Sequence, residues 1–400
     1  MPAARRRQRL ERPAHRRQMS DWHPASWRAR PAKQQASYPS AAALEQTLEQ
    51  LSQLPPLVTS WEVEALKQQL AAAARGEAFL LQGGDCAENF SDCTSPVITN
   101  KLKILLQMSL LLIHGLNRRV IRVGRIAGQY AKPRSADSET RDGITLPSYR
   151  GDLVNGPAFT AAERMADPVR LLRGYGRAAM TLNFIRALSD CGFADLHHPE
   201  NWDLDFVQHA SRAQEYHRVV EELSRSLRFM EVLGGGSSEL NSVRFYTSHE
   251  GLHLHYEQAL TRQVPNRPGF FNLASHLPWI GMRTADVDGA HVEYFRGVQN
   301  PVGVKVGSSM SPAWIQELTA RINPANEAGK LVLIHRFGAR HIAAGLPPLI
   351  DAVRRSGRQV LWVCDPMHGN TETTASGFKT RRFDEILSEL EQAVDIHRQQ

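Results

Sequence analysis

Four cationic side chains each lie in or directly after a short apolar run that is typical of a β-strand. The set comprises Arg125, Arg283, Lys305 and Arg336. A guanidinium fork matches carboxylate and phosphate oxygens, and an ammonium adds a point charge, so the set could hold two or three anionic groups. Any one of these cations could instead form a surface ion pair. Because all four occupy equivalent positions, we predict one anion-binding site.

The stretch 122–135, RVGRIAGQYAKPRS, is the densest part of this pattern. Gly124 and Gly128 allow close approach of a ligand to the backbone, and Pro133 stiffens the exit. Lys132 adds a cation beside Ser135. The stretch predicts a strand that opens into an anion-binding loop, and a solvated basic loop is the alternative.

Cys86 and His368 are candidate metal ligands. They lie just after the first and the last predicted strand, and a thiolate with an imidazole suits a divalent metal. A small buried cysteine and an ordinary loop histidine are the alternatives.

A competing signal is His249-Glu250-Gly251-Leu252-His253, which matches the HExxH pattern of zinc metallopeptidases. That chemistry needs both histidines on one helical face, whereas here the motif follows a strand-like run and Gly251 weakens a helix. Tyr256 also stands where the metzincin pattern has glycine. A metallopeptidase is therefore a distant alternative.

The elements that would position these residues alternate along the chain. Predicted strands are 78–81, 120–123, 243–246, 277–280, 302–306, 331–335 and 360–363, with helices between them. Two long amphipathic patterns, 168–188 and 206–230, interrupt the alternation as an inserted helical pair. The reactive residues fall at the carboxyl ends of strands, as in a (β/α)8 TIM barrel, whereas a doubly wound sheet would concentrate its ligand at one switch point.

We therefore predict an α/β fold of the (β/α)8 TIM-barrel family, incomplete because only seven β/α units are found. Its predicted organisation is a disordered Arg-rich tail (1–18), an N-terminal arm and helix (19–75) and a barrel domain (76–400) with a helical insertion at about 141–240.

Composition excludes several classes of protein. The net charge of +7 resides mostly in the tail, where seven Arg oppose only Glu11, so we predict no nucleic-acid partner. The longest apolar run, 104–113, is short of a membrane span, so we predict no membrane association. Four cysteines in 400 residues do not form a disulfide framework, which favours a reducing, cytoplasmic location.

Taken together, LLQGGDCAENF, RVGRIAGQYAKPRS, YTSHEGL, LPWIGMRT, HRFGA and CDPMHGNT resemble the class II 3-deoxy-D-arabino-heptulosonate 7-phosphate (DAHP) synthases. These are (β/α)8 barrels that open the shikimate pathway to aromatic amino acids. They condense phosphoenolpyruvate with erythrose 4-phosphate, using a divalent metal such as Mn²⁺ or Co²⁺.

The resemblance implies a role for each candidate. Cys86 and His368 would bind the metal, and Lys132 and Ser135 the sugar phosphate. Trp279 and Glu250 would line the pocket. The implied phosphoenolpyruvate-binding residues are Arg125, Met282, Arg283, Lys305 and Arg336. A homo-oligomer is expected because oligomers are usual in the family, and condensation with an amino sugar stays open.

Two departures accompany the resemblance. The family usually reads GERT where this chain has Gly281-Met282-Arg283-Thr284. Family members also continue into an eighth strand that carries a Glu ligand and a later segment that carries an Asp ligand, neither of which is found here. A non-catalytic truncated relative, acting as a partner-dependent subunit or relic, is therefore the alternative function.

Overall fold

The computed structural model describes residues 22–190, 193, 213–232, 244–374 and 379–400. The predicted disordered tail and parts of the predicted insertion lie outside the described residues. In chain order the strands are Ala78–Gly84 (β1), Arg119–Arg125 (β2), Ser138–Arg141 (β3), Ile144–Pro147 (β4), Phe245–Thr247 (β5), Thr261–Gln263 (β6), Phe270–Asn272 (β7), Trp279–Ile280 (β8), Val302–Val306 (β9), Leu331–His335 (β10), Leu361–Cys364 (β11), Glu372–Thr373 (β12) and Lys379–Thr380 (β13).

Two parallel sheets form the centre of the molecule. Their strand orders are β1-β2-β5 and β11-β10-β9-β8. A single parallel bridge between Glu250 and Trp279 joins them, so the strands follow one another in chain order. The prediction of an α/β fold with parallel strands is confirmed, and it places the carboxyl ends of all these strands on one side.

Helices connect the strands and cover their outer faces. They are Ala41–Gln53, Ser60–Ala74, Ser95–Leu116, Ala161–Arg164, Val169–Asp190, Ala213–Val232, Leu254–Ala259, Ala290–Phe295, Pro312–Ile322, Ile342–Arg355 and Phe383–Gln399, with a 3-10 turn at Ser26–Ala29. The helix Ser60–Ala74 begins with a capping box between Thr59 and Glu62, which satisfies backbone donors at its start.

The interior faces of the strands pack around apolar side chains. Leu80, Ile121, Trp279 and Ile334 belong to one buried cluster, which also includes Leu70 of the helix Ser60–Ala74. Because a buried Leu contributes about 1.5–3 kcal/mol, this cluster holds the strand ends in fixed relative positions.

The outer strands β1 and β11 have no ladder between them within the described ranges. The helices that follow these two strands expose apolar side chains: Ile104, Met108 and Leu111 after β1, and Phe383, Leu387, Leu390 and Val394 after β11. Such stripes are typical of surfaces that another element covers. Closure of the barrel and its incompleteness remain predictions.

Within the described ranges, one helix, Ser95–Leu116, is long and apolar enough by length and composition to cross a membrane. The same test is passed by core helices of soluble proteins, and Leu102, Leu106 and Leu110 of this helix are buried. The prediction of no membrane association stays a prediction.

Sequence periodicity did not predict three antiparallel hairpins. They pair β3 with β4, β6 with β7 and β12 with β13. The predicted helix reaching to about residue 262 is also wrong, because the helix Leu254–Ala259 ends before β6. These strands have two to four residues, too few to show a reliable alternation.

Alanine substitution is expected to have opposite effects at two glycines. Gly151 has φ +94°, and a Cβ there would lie 2.1 Å from the carbonyl oxygen of Tyr130, whereas a Cβ on Gly176 meets nothing within 4 Å. We expect Gly151→Ala to destabilise the fold by at least about 2 kcal/mol, and Gly176→Ala, inside a helix, to stabilise it by about 0.5–1 kcal/mol. Denaturant titration measures both, and equal midpoints for the two variants would contradict this geometry.

Candidate active site

The carboxyl ends of β1, β2 and β8 meet at Arg125. Its guanidinium lies 4.7 Å from the ring centroid of Trp279, and Nη2 donates to the carbonyl oxygen of Cys86 at 3.2 Å. The buried Nε of Arg125 has no partner among the described residues. The Trp279 ring fixes the orientation of the Arg125 guanidinium and leaves its Nε available to donate to an anion.

Cys86 and His368 come together although they follow the two outer strands, β1 and β11. Cys86 Sγ lies 3.5 Å from His368 Nε2, although the two residues are 282 positions apart. His368 Nδ1 lies 2.7 Å from a carboxylate oxygen of Asp365. A carboxylate behind an imidazole is the usual arrangement for a metal-binding histidine, so the donor set fits a divalent metal.

The pKa shifts of this pair act in opposite senses for a metal, which binds a thiolate and a neutral imidazole. The hydrogen bond with His368 lowers the pKa of Cys86 to about 7. The hydrogen bond with Asp365 raises the pKa of His368. A substantial thiolate fraction is therefore available near neutral pH.

Asp365 is a candidate site residue that sequence reasoning missed. Burial raises its pKa, but the hydrogen bond with His368 and the charge of Lys305 outweigh burial and hold the carboxyl ionised. Its side chain pairs with Lys305 Nζ. The signal was available in CDPMH, where Asp and His stand three residues apart directly after a strand.

Lys305 and Arg336 complete the cationic wall. Burial lowers the pKa of both side chains, and Asp365 opposes that shift in each case. Arg336 donates through Nη2 to the carbonyl oxygen of His368, and its Nε is buried without a partner among the described residues. Arg336, a candidate anion-binding residue, is thus tied to the loop that carries the candidate metal ligand His368.

Arg283 lies between the two predicted substrate regions. Its Nη2 donates to Ser135 Oγ at 3.1 Å. Lys132 is exposed on the same loop as Ser135. Arg283 and Ser135 therefore lie together, and Lys132 stands three residues before Ser135.

Two other cations of the predicted anion-binding loop do not belong to the site, which corrects the interpretation of that stretch. Arg134 pairs with Glu139 at 2.9 Å. Arg122 is buried, and burial lowers its pKa to about 10. Strand alternation explains Arg122, because its neighbours Ile121 and Val123 occupy the interior face.

Glu250 and Met282 are the remaining predicted site residues. Burial raises the pKa of Glu250, although the charges of Arg125, Lys305 and Arg283 oppose that effect. A Cβ on Gly281 would lie 1.9 Å from Glu250 Oε1, so a larger residue there would displace this carboxyl. Met282 is 37% exposed and its Sδ lies beside Gly307.

A buried carboxylate, Glu88, fixes the loop after Arg125. It accepts hydrogen bonds from the backbone N–H groups of Ala127, Gly128 and Gln129 at 3.1, 3.0 and 2.9 Å. Burial raises its pKa, which those bonds oppose. No sequence motif indicated this role, because the partners lie about forty residues further along the chain.

A second group of metal-type side chains lies under the helix Phe383–Gln399. The ligand atoms of His335, Cys364 and Glu389 lie within 4.8 Å of one another. Glu389 already accepts hydrogen bonds from Phe337 N, Gly338 N and Asn370 Nδ2. Those bonds define a structural role for its carboxylate.

The HExxH sequence does not form a metallopeptidase site. His249 Nε2 lies 2.7 Å from Glu257, whereas His253 caps the start of the helix Leu254–Ala259 and lies 2.8 Å from Tyr38. The motif precedes the helix rather than lying on it, so the two imidazoles serve different partners.

A thiol and an imidazole backed by a carboxylate, surrounded by cations at the ends of parallel strands, are typical of an α/β enzyme that acts on anionic substrates with a divalent metal. The family model described as the class-II DAHP synthetase family matches residues 22–400.

Two relatives extend this finding. Phospho-2-dehydro-3-deoxyheptonate aldolase of Neurospora crassa is 46% identical over 396 residues, covering 95% of this chain and 82% of the relative. The protein of the same name from Streptomyces coelicolor is 46% identical over 374 residues, covering 93% and 83%. The chain belongs to the class-II DAHP synthetase family, which confirms the resemblance seen in its motifs.

Proposed function

We propose that this chain is a DAHP synthase, a transferase that condenses phosphoenolpyruvate with erythrose 4-phosphate and releases inorganic phosphate. This reaction is the first step of the shikimate pathway towards aromatic amino acids. Family membership supports the assignment. The observation that carries it is the convergence of Arg125, Lys305 and Arg336 around the Cys86–His368 pair.

Phosphoenolpyruvate would bind where the cations meet. Arg125 and Arg336 each have a buried Nε without a partner in the described part of the chain, so each can donate to a phosphate or carboxylate oxygen. Lys305 and Arg283 add charge, the backbone of Met282 adds an N–H group, and Trp279 forms the pocket wall.

The sugar phosphate would bind at the exposed loop that carries Lys132 and Ser135. The hydrogen bond from Arg283 to Ser135 joins this loop to the phosphoenolpyruvate region. Two phosphates are thereby held on opposite sides of the reacting carbons, which favours a productive orientation.

Cys86 and His368 would hold the divalent metal, for which we propose Mn²⁺ or Co²⁺. When bound, such an ion acts as a Lewis acid that polarises the aldehyde oxygen of the sugar. Asp365 orients His368 through Nδ1 and, with Lys305, keeps the ligand in place.

The proposed reaction makes and breaks the following bonds. Carbon 3 of phosphoenolpyruvate forms a bond to the aldehyde carbon, and the aldehyde oxygen takes up a proton to become a hydroxyl. Water adds to carbon 2 and loses its protons as the carbon 2–oxygen bond to phosphate breaks, which leaves a keto group. Arg125 and Arg336 neutralise the departing phosphate. Glu250 lies among these cations, and burial raises its pKa. Its carboxyl is therefore suited to hold the attacking water or accept its proton.

The direct test follows both phosphoenolpyruvate loss and phosphate release when the purified chain meets erythrose 4-phosphate. We expect turnover with Mn²⁺ or Co²⁺, loss of turnover with a chelator and recovery when metal is returned. Omitting the sugar is the control, and an amino-sugar analogue tests the variant reaction. A folded chain without metal-dependent turnover would favour the non-catalytic alternative.

We further infer a cytoplasmic homo-oligomer without nucleic-acid or membrane partners. The N-terminal arm packs against the rest of the chain, since Trp27 is buried and Leu57 N donates to the carbonyl oxygen of Leu273. Trp61 at the edge of this arm is 73% exposed and is a candidate contact. Light scattering on the chain and on Trp61→Ala tests this assignment.

A further inference from the structure

Glu389 lies on the helix Phe383–Gln399, outside the strands, and is 0% exposed. Its Oε1 accepts hydrogen bonds from Phe337 N at 2.8 Å and Gly338 N at 2.9 Å. Its Oε2 accepts one from Asn370 Nδ2 at 2.7 Å. One carboxylate therefore contacts the loops that follow both β10 and β11.

Asn370 extends the connection. Its Oδ1 accepts a hydrogen bond from Ala339 N at 2.9 Å, and its Nδ2 also donates to the carbonyl oxygen of Pro366 at 2.9 Å. The three consecutive backbone donors at 337–339 are thus satisfied by this pair of side chains. A loop held in this way has a defined conformation, because buried N–H groups that lose their acceptors are costly.

The two loops carry the groups that the proposed reaction needs. Arg336 directly precedes Phe337, and His368 stands two residues before Asn370. The Arg336 side chain itself donates to the carbonyl oxygen of His368. A change in either loop would accordingly be transmitted to the other.

We propose that Glu389 and Asn370 are positioning residues that couple the anion-binding loop at Arg336 to the metal-binding loop at His368. This inference rests on the proposed function for the identity of the two ligands. Through the two loops, phosphoenolpyruvate and the metal each favour the conformation that binds the other, so their affinities rise together.

The hydrogen-bond pattern supplies a specific perturbation and its repair. In Glu389→Gln the amide can still accept from Phe337 and Gly338, but its NH₂ group then faces the NH₂ group of Asn370. The second change Asn370→Asp turns that partner into an acceptor and keeps an oxygen for Ala339, but it loses the bond to the carbonyl oxygen of Pro366, so the repair is partial. Glu391→Gln, on an exposed position of the same helix, is the matched control.

The experiment measures Mn²⁺ affinity from the free-ion electron paramagnetic resonance signal, with and without phosphoenolpyruvate, alongside KM and kcat. We expect Glu389→Gln to weaken Mn²⁺ binding by about 10- to 100-fold and to reduce its enhancement by phosphoenolpyruvate at least about fivefold. The double variant is expected to recover part of both, and Glu391→Gln to match the unchanged chain.

The inference is overturned if Glu389→Gln lowers the melting temperature but leaves Mn²⁺ affinity and its enhancement intact, since the carboxylate would then be structural only. It is also overturned if phosphoenolpyruvate does not raise the Mn²⁺ affinity of the unchanged chain. Failure of the proposed function is distinct, because it appears as absent turnover in the unchanged chain while the binding measurements still report on the coupling.

Discussion

Replacing Cys86 by serine is expected to abolish metal-dependent condensation. The thiol is one of two groups brought within 3.5 Å of each other at the proposed metal site, and a hydroxyl is a poor substitute for a thiolate. Loss of an outer partner alone costs about 10- to 100-fold in metal affinity, and we expect the loss of this ligand to exceed that range. Equilibrium dialysis against Mn²⁺ or Co²⁺ measures it.

Cys93→Ser is the control for this prediction. Cys93 lies in the same connection after β1, but its Sγ donates to the carbonyl oxygen of Arg177 at 3.6 Å and lies away from His368. The variant is expected to bind metal normally. If Cys86→Ser bound metal as tightly as Cys93→Ser does, the assignment of the ligand would be wrong.

Replacing Glu88 by alanine is expected to cause the largest loss of stability among single changes near the site. The substitution removes the acceptor of three backbone N–H groups in a region where Glu88 is 3% exposed. Since each buried donor left unsatisfied costs about 1–3 kcal/mol, we expect a loss of at least about 3 kcal/mol in the free energy of unfolding. Denaturant titration measures it.

A graded series separates the hydrogen bonds of Glu88 from its bulk. Glu88→Gln retains one acceptor oxygen and places an NH₂ group against backbone donors, so we expect an intermediate loss together with a raised KM for both substrates. Glu77→Ala is the control, because Glu77 is exposed and forms a surface ion pair with Arg75. A Glu88→Ala variant as stable as Glu77→Ala would show that the loop does not depend on this carboxylate.

The sequence alone was sufficient for the parallel strands and their order. The predicted strands 302–306 and 331–335 coincide with β9 and β10. Both are nearly continuous apolar runs buried on two faces, a pattern that local composition specifies. The proximity of Cys86 and His368 could also be expected, because each follows a predicted parallel strand and such strands bring their carboxyl ends to one side.

Tertiary structure decided which of these residues act together. Sequence alone could not separate Arg122 and Arg134, which have partners away from the site, from Arg125, which stacks on Trp279. The face on which each cation lies depends on strand register and on partners distant in the chain.

The supporting carboxylates are the clearest case of information that only the fold contains. Glu88 and Glu389 belong to no spacing pattern that indicates their partners, and Glu389 lies 52 positions from Phe337. A strand or a helix is determined by neighbours within a few residues, so its periodicity is visible in the sequence. A buried hydrogen bond between distant loops is determined by how complete elements pack, and therefore becomes visible only in three dimensions.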